Sequence, residues 1–269
     1  MDRIGFIGCG NMGGALAAVA AKKAGGDRVF TADLDEGKLK AHQKAHGTVP
    51  STAVEIAETC DMIFLGVKPQ MMKDTLDGVR DILSARQDRF VVVTMAAGLT
   101  AGTISSWLDS CPVIRVMPNL PAAVGKGALL YWPGEGVTAD EEAAFKELMA
   151  PGGLVMKLPE NRIDAASAVA GCGPAYLCLF IEAMIDGGVR CGLSREQSAR
   201  LALQMVDGTA AYLKETGKDP AVLRGEVCSP AGSTIEGVAA LEERAVRYAV
   251  IDAVTASYVK SVEMKKSGS

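Results

Sequence analysis

The chain has 269 residues, 49% of them hydrophobic and 22% charged, which is typical of a globular protein with one large domain or two ordinary ones. Its formal net charge of −4 argues against a nucleic-acid partner and against attraction to an anionic membrane surface. The seven cysteines are scattered and form no CxxC pair, so we expect neither a zinc site nor a redox dithiol. Reduced thiols of this kind are typical of a cytoplasmic protein.

The N-terminal segment has the order strand, glycine turn, helix. A short apolar strand runs into Gly8-x-Gly10-x-x-Gly13, and an alanine-rich helical run follows. In this motif Gly8 permits the tight turn, Gly10 leaves room for a pyrophosphate, and Gly13 lets the helix pack close to the strand. The free N–H groups at the start of the helix attract phosphates. The residues predicted to hold a dinucleotide here are Ile7, Gly8, Cys9, Gly10, Asn11, Met12 and Gly13.

The uncharged run 4–21 has an alternative interpretation as a signal peptide. Its repeated glycines and Asn11 fit a turn better than the apolar core of such a peptide, and Asp2 beside Arg3 weakens the positive region. We therefore expect a cytoplasmic location.

A second predicted strand, residues 28–32, ends at Asp33. This residue lies 20 positions after Gly13 (33 − 13), where an acidic side chain bonds the ribose hydroxyls of NAD. The alternative is an acid in a surface turn. The helix predicted over 36–45 contains His42, one turn before His46. No third ligand accompanies this pair, so a solvated helix face is favoured and no metal site is expected.

Apolar, strand-like segments then alternate with helical ones as far as residue 158. These segments are 62–67, 90–95, 113–117, 127–132 and 154–158. Repeated strand–helix units predict a parallel sheet covered by helices, with ligands beyond the carboxyl ends of the strands. The small residues at 96–98 would let a flat ring lie against the backbone, although each loop taken alone has an ordinary structural interpretation. The loop residues predicted to contact the cofactor are Val67, Lys68, Pro69, Ala96, Ala97, Gly98 and Asn119.

The second part of the chain is predicted to be all helical. Ser194-x-x-Gln197 is a capping box, and the last helix carries an apolar residue at every fourth position from Val246 to Val262. The predicted domains are therefore a dinucleotide-binding domain over 1–158 and a helical domain over 159–269. Because apolar helical faces must be covered, this second domain predicts self-association.

A turn of small residues lies inside this helical part, from Ser229 to Thr234, and leads into a helix. Free N–H groups at Gly232, Ser233 and Thr234, with hydroxyl groups beside them, would accept a carboxylate. The alternative is a capped helix with no ligand.

Six stretches together resemble the pyrroline-5-carboxylate reductase family over essentially the whole chain. They are GFIGCGNMG at the N-terminus, VKP at 67–69, AAG at 96–98, MPNLP at 117–121, GCGPAY at 171–176, and ETGKDPAVLRGEVCSPAGSTIEGVAALE at 215–242.

The resemblance implies that NADPH or NADH reduces the cyclic imine 1-pyrroline-5-carboxylate to proline, the last step of proline biosynthesis. It implies an α/β fold, with an N-terminal Rossmann domain and an all-α dimerisation domain, in a dimer or a decamer of five dimers. By position, Ser229, Gly232, Ser233 and Thr234 would hold the substrate carboxylate, and Thr234 would face the ring nitrogen as the catalytic hydrogen-bond partner. Glu215 resembles an acid that the family supplies across the dimer.

The sequence departs from the family pattern at three positions. Ala231 stands where a second glycine is frequent, and Asp219 stands where histidine is frequent. Asp33 would repel the 2′-phosphate of NADPH, so we expect NADH to be accepted and preferred.

Three other classes of protein fit the sequence less well. A β-hydroxyacid or related imine reductase has the same two-domain plan, but the hydroxyacid class needs a catalytic lysine that 171–184 lacks. A nucleotide-sensing domain would not need the small-residue turn. A short-chain dehydrogenase would need a Tyr-x-x-x-Lys pair, which the sequence lacks.

Overall fold

The computed structural model describes residues 2–267, and side chains as far as residue 265. The chain divides into two compact units. The first comprises Met1–Gly171 together with Ser257–Ser269, and the second is Cys172–Ala256.

The first unit is built on one eight-stranded sheet with the order β3-β2-β1-β4-β5-β6-β7-β8. The strands are β1 (Ile4–Ile7), β2 (Val29–Ala32), β3 (Val49–Pro50), β4 (Met62–Leu65), β5 (Val91–Thr94), β6 (Val113–Met117), β7 (Gly127–Pro133) and β8 (Gly153–Lys157). The predicted α/β class is confirmed, and the order 3-2-1-4-5-6 of the first six strands is that of a dinucleotide-binding sheet.

The direction of β7 differs from the expectation of a wholly parallel sheet. β7 pairs antiparallel with β6, with Arg115 opposite Trp132, whereas β7 and β8 are again parallel. A parallel return needs a crossover of a dozen or more residues, usually a helix. Between β6 and β7 there is only a short 3-10 helix, Leu120–Val124, so the chain folds straight back.

Helices cover both faces of this sheet. They are α1 (Asn11–Ala24), α2 (Glu36–His46), α3 (Ala53–Thr59), α4 (Pro69–Asp77), α5 (Arg80–Ala85), α6 (Ala101–Trp107), α7 (Ala139–Met149) and α8 (Glu160–Ala170). Successive strand residues serve opposite faces, as the two-residue period requires. Phe6 and Phe64 stack on one side with ring centroids 4.3 Å apart, while Ile7 and Ile63 pack on the other.

The strand order reverses between β1 and β4, and the loops after these strands meet there. The Gly8 N–H donates to the Ala32 carbonyl (2.7 Å), and the Gly66 N–H donates to the Ile7 carbonyl (2.8 Å). A crevice at such a reversal is where open α/β sheets bind their ligands.

The second unit is entirely helical in the residues that the structure describes. Its helices are α9 (Gly173–Arg190), α10 (Arg195–Thr216), α11 (Pro220–Val227), α12 (Ser233–Glu243) and the first half of α13 (Val246–Ser267). The predicted capping box is confirmed, since the Ser194 hydroxyl accepts from the Gln197 N–H and the Gln197 side chain accepts from the Ser194 N–H.

These helices have little cover in a single chain. No residue of α9, α11 or α12 is buried, and Leu179 and Leu201 are 71% and 60% exposed. Within residues 2–267, one run, Glu160–Arg190, is long and apolar enough to cross a membrane by length and composition alone. Core helices of soluble proteins pass the same test.

The second half of α13 belongs to the first unit. A β-carbon added to Gly98 would lie 3.5 Å from the Met264 carbonyl carbon, and Lys265 Nζ lies 4.0 Å from an Asp164 carboxylate oxygen. Asp164 also accepts from the fully buried Arg115, with an N···O distance of 2.8 Å. Two buried charges on β6 and α8 are therefore paired near the end of the last helix.

Candidate active site

The glycine loop has the geometry that its three glycines predict. Gly8 has φ +96°, a conformation that side chains disfavour, and a β-carbon there would lie 2.7 Å from the Gly66 carbonyl carbon. A β-carbon on Gly13 would overlap the Gly8 carbonyl oxygen, whereas one on Gly10 would meet no atom within 4 Å. Gly10 precedes α1 and provides no side-chain cap, so the first N–H groups of this helix are available to phosphate.

A cavity of about 680 Å³ lies beside this loop. Its walls come from the loop and α1, from α2, and from the ends of β4 and β5. The lining residues are Cys9, Gly10, Asn11, Met12, Gly14, Ala15, Lys38, Ala41, His42, Gly66, Val67, Lys68 and Met95. The structure thus brings six predicted cofactor residues to one cavity, namely Cys9, Gly10, Asn11, Met12, Val67 and Lys68.

Asp33 is bound to the glycine loop itself. Its Oδ2 accepts from the Cys9 N–H (2.7 Å), and its Oδ1 accepts from the Asp35 N–H (2.9 Å) and from Lys38 Nζ (3.5 Å). Burial raises the pKa of Asp33, but these N–H groups and the Lys38 charge outweigh burial and leave the pKa below its usual value. The carboxylate is therefore charged near neutral pH, and its bonds to the loop weaken only as the pH falls through that lowered pKa.

The Cys9 thiol is expected to be unreactive. Its thiol is buried and lies 3.9 Å from the Ala32 carbonyl, and burial, followed by the charge of Asp33, raises its pKa to about 12. Cys9 thus contributes its backbone to the cavity rather than a reactive thiolate.

Other predicted cofactor residues lie around this cavity rather than in its wall. Pro69 begins α4, and Ala96 is buried within the loop that follows β5. Gly98 has φ +79° and packs against α13. The Asn119 amide donates to the Ala170 carbonyl (2.8 Å) and accepts from the Ala128 N–H (2.9 Å), so its polar groups already bridge α8 and β7.

Lys38, Ala41 and His42 were missed by the sequence analysis. They share one face of α2, because Ala41 and His42 lie three and four positions after Lys38. This spacing, on the helix that follows Asp33, was the signal that could have identified them. Burial and then the neighbouring His46 lower the pKa of His42, which keeps its ring neutral at neutral pH.

In the second unit, the small-residue turn joins α11 to α12. Ala231 has φ +56°, the left-handed conformation that favours the glycine frequent at this position. The expectation of a free Gly232 N–H is wrong, because this group donates to the Ser229 carbonyl (3.1 Å) and closes the turn. A β-carbon on Gly232 would overlap the Ser229 hydroxyl. Gly232 precedes α12 and provides no side-chain cap, so the first turn from Ser233 presents N–H groups to an anion.

Thr234 lines a cavity of about 540 Å³ within this unit. The other lining residues are Met205, Gly208, Thr209, Tyr212, Leu213, Pro220, Leu223, Arg224 and Val227. Most of these side chains are apolar, so Thr234 brings one of few hydroxyls to a largely apolar wall, as a small organic ligand requires.

Glu215 lies in the last turn of α10 and is exposed. The loop after it is held by Lys218, whose Nζ contacts both carboxylate oxygens of Glu226 (2.9 and 2.8 Å). These contacts fix the chain next to Glu215, while its own carboxylate faces solvent in the single chain.

Known families match both parts of the chain. A model described as NADP oxidoreductase, coenzyme F420-dependent, matches residues 3–98, and one described as pyrroline-5-carboxylate reductase dimerisation matches residues 160–264. The pyrroline-5-carboxylate reductase of Escherichia coli is 38% identical to this chain, over 98% of this chain and 99% of the relative. That of Arabidopsis thaliana is 37% identical, over 98% of this chain and 96% of the relative.

Solved structures agree with these matches. A Plasmodium falciparum pyrroline carboxylate reductase with NADP bound has a TM-score of 0.87 and 31% identity, and covers 98% of both chains. A Coxiella burnetii pyrroline-5-carboxylate reductase has a TM-score of 0.88 and 30% identity, again over 98% of both chains.

A Rossmann-type cradle joined to a helical dimerisation domain defines a nicotinamide-dependent oxidoreductase that self-associates. Within that class, the chain belongs to the pyrroline-5-carboxylate reductase family. The predicted family, fold class and enzyme class are confirmed, as is the use of a nicotinamide dinucleotide.

Proposed function

We propose that the chain reduces 1-pyrroline-5-carboxylate to L-proline with NADPH or NADH, the final step of proline biosynthesis. The observation that carries this proposal is the turn 229–234, where a helix start without a side-chain cap adjoins the Thr234 hydroxyl in a chain that also has a dinucleotide cradle. The family membership of the chain supports the same reaction.

The cofactor is proposed to bind at the glycine loop. Its pyrophosphate would lie over Gly10, where space is open and the N–H groups of α1 are available. The bound dihydronicotinamide supplies the hydride. We retain the wider predicted set for this site, and several of its members would act by shaping the loops. The set is Ile7 to Gly13, Asp33, Val67 to Pro69, Ala96 to Gly98 and Asn119.

The substrate carboxylate is proposed to bind the N–H groups at the start of α12, assisted by Ser229 and Ser233. A single negative charge at this position is stabilised by the aligned peptide dipoles of the helix, by about 0.3–1 kcal/mol at an exposed site. Thr234 would then contact the ring nitrogen, which must be protonated or hydrogen-bonded for the imine carbon to accept a hydride. Glu215 of the partner subunit is proposed to complete this site.

Positioning supplies the main rate enhancement in this proposal. Holding two reacting groups in the correct orientation can contribute roughly 7–11 kcal/mol in favourable cases. An acid on the protein is not essential, because the imine can be protonated in solution.

We further propose family domains over 1–158 and 159–269, the second following the dimerisation match over 160–264, whereas the compact units of the structure place α8 and residues 257–267 with the sheet. We also propose a dimer that assembles into a decamer, and a cytoplasmic location without membrane binding. The uncovered apolar helices from 173 onward lie in the dimerisation match, which favours a second copy rather than lipid as their cover. A monomer in sedimentation at micromolar concentration would contradict this assembly.

The decisive experiment mixes the purified protein with pyrroline-5-carboxylate and either NADH or NADPH, and follows the absorbance of the reduced nicotinamide. We expect consumption of the cofactor with proline as the product, and a higher kcat/KM for NADH because of Asp33. The control substrate is 1-pyrroline, which lacks the carboxylate and should react poorly. Absence of proline would contradict the function, and a kcat/KM at least about tenfold higher with NADPH would contradict the cofactor preference.

A further inference from the structure

The start of α2 places a charged cluster at the edge of the nucleotide cavity. Asp33 follows β2, and Asp35 precedes α2 and accepts from the Gly37 N–H (2.9 Å). Lys38 Nζ lies 3.5 Å from Asp33 Oδ1. The same lysine lines the cavity beside Gly10 and His42. The Lys38 side chain therefore pairs with the Asp33 carboxylate and also forms part of the cavity wall.

Asp33 has limited freedom to move away from an incoming anion. Its side chain is only 12% exposed, and three donors hold its two oxygens, including the N–H of Cys9 in the glycine loop. A ligand that carries a phosphate near this carboxylate must accept the local charge as it stands. That charge is set by whichever cation accompanies Asp33.

We propose that Lys38 is the residue that determines how well this site accepts the 2′-phosphate of NADPH, because its ammonium group offsets the Asp33 carboxylate. The proposal rests on the proposed cofactor site at the glycine loop. A 2′-phosphate carries nearly two negative charges near neutral pH, whereas the ribose hydroxyl of NADH carries none. Loss of Lys38 therefore penalises NADPH and leaves NADH nearly unaffected.

Other cations nearby are less suited to this role. The ring of His42 faces the cavity, but burial and His46 lower its pKa and keep it neutral. Lys40 points to Glu36, with Nζ 3.3 Å from the carboxylate, and does not line the cavity. Lys68 precedes α4, after β4 rather than β2, where a Rossmann fold binds the ribose.

The test measures binding of NADPH and NADH separately, by titrating the fluorescence of each reduced cofactor without any imine present. The variants are Lys38→Ala and Lys38→Arg, and the matched control is Lys40→Ala, which removes the same charge from the same helix. For Lys38→Ala we expect the Kd of NADPH to rise about tenfold or more and the Kd of NADH to change less than about threefold. Lys38→Arg should retain most of the NADPH affinity.

Raising the ionic strength provides a second measurement. Because Lys38 is partly exposed, the NADPH penalty of Lys38→Ala should shrink as salt screens the charges. Equal losses for both cofactors would mean that Lys38 only supports the fold of the loop, and unchanged NADPH affinity would mean that it does not sense the phosphate. Either result overturns the proposal.

The outcome is independent of the proposed reaction. If the protein binds both cofactors but does not reduce the imine, the proposed function fails while the Lys38 comparison remains interpretable. If the imine is reduced and the Lys38 variants show no selective loss, only the present inference fails.

Discussion

The proposed reaction gives one hydroxyl of the second unit a specific role. Thr234 is the second residue of α12 and lines a cavity whose other walls are mostly apolar. A hydroxyl group both donates and accepts hydrogen bonds, so it suits the nitrogen of an imine before reduction and of an amine after it. In the proposed reaction, Thr234 would therefore act on the reacting ring rather than on the cofactor.

Thr234→Ala should lower kcat at least about tenfold, because hydrogen bonding or proton relay at a reacting atom contributes about that much or more. The KM for NADH should change less than about twofold, since the cofactor is bound by other residues. Steady-state kinetics with both substrates varied provide the measurement. Thr234→Ser is the control, because it keeps the hydroxyl and should retain most of the turnover; an unchanged kcat in Thr234→Ala would refute the role.

At this scale the sequence identified the residue types but not their contacts. The backbone cradle was predictable because three glycines at fixed spacing admit one main arrangement. The Lys38–Asp33 pair was not, because it depends on side-chain conformations that no local pattern specifies. The same holds for Asn119, whose amide bonds Ala128 and Ala170, one close in sequence and the other 51 positions away.

The turn before α12 combines open N–H groups with backbone strain. Ala231 has φ +56°, and an alanine in this conformation costs roughly 1–2 kcal/mol. Ala245, in the turn between α12 and α13, has φ +53° and carries a comparable cost. The two residues delimit the same helix but only the first adjoins the proposed substrate site.

Ala231→Gly should raise the free energy of unfolding by about 0.5–1 kcal/mol, because relief of the left-handed conformation exceeds the added entropy of the unfolded glycine. Urea unfolding at one fixed protein concentration provides the measurement. Ala245→Gly is the matched control and should give a similar gain. Only Ala231→Gly should also alter the KM for the imine, and loss of stability in both variants would contradict the strain argument.

Elements were predictable where periodicity was strong. The βαβ alternation and the capping box at Ser194 both follow from local sequence patterns, and both occur in the structure. The reversed direction of β7 was not predicted, because apolar runs in parallel and antiparallel strands look alike. The missing signal was the short β6–β7 connection, which leaves no room for a crossover helix.

The two units differ in how much of their apolar surface a single chain buries. The sheet unit buries a complete core on both faces, whereas α9, α11 and α12 bury no residue in one chain. Covering a large apolar side chain contributes about 1.5–3 kcal/mol. The family's dimerisation match over 160–264 coincides with these uncovered helices, so we expect a second copy to cover them.

Leu179→Glu should weaken self-association by at least about a hundredfold, because each dimer would bury two new charges. Val124→Glu is the matched control, since Val124 is 76% exposed and lies outside the dimerisation match. Sedimentation velocity over a concentration series distinguishes them. A Leu179→Glu protein that associates as tightly as the parent would show that α9 does not form the interface.

Self-association was predictable from sequence because too many apolar helices fall in too short a segment. The size of the assembly was not, since subunit number depends on the angle between surfaces rather than on composition.

The last helix has a consequence for how this polypeptide is made. Residues 257–267 belong to the same unit as residues 2–171. In this unit Met264 lies beside Gly98, and Lys265 lies beside Asp164. Within this chain, residues 2–171 are therefore synthesised before the helix that completes their unit. A fragment that ends at residue 171 would lack these contacts, and the first unit should be less stable in it than in the longer chain.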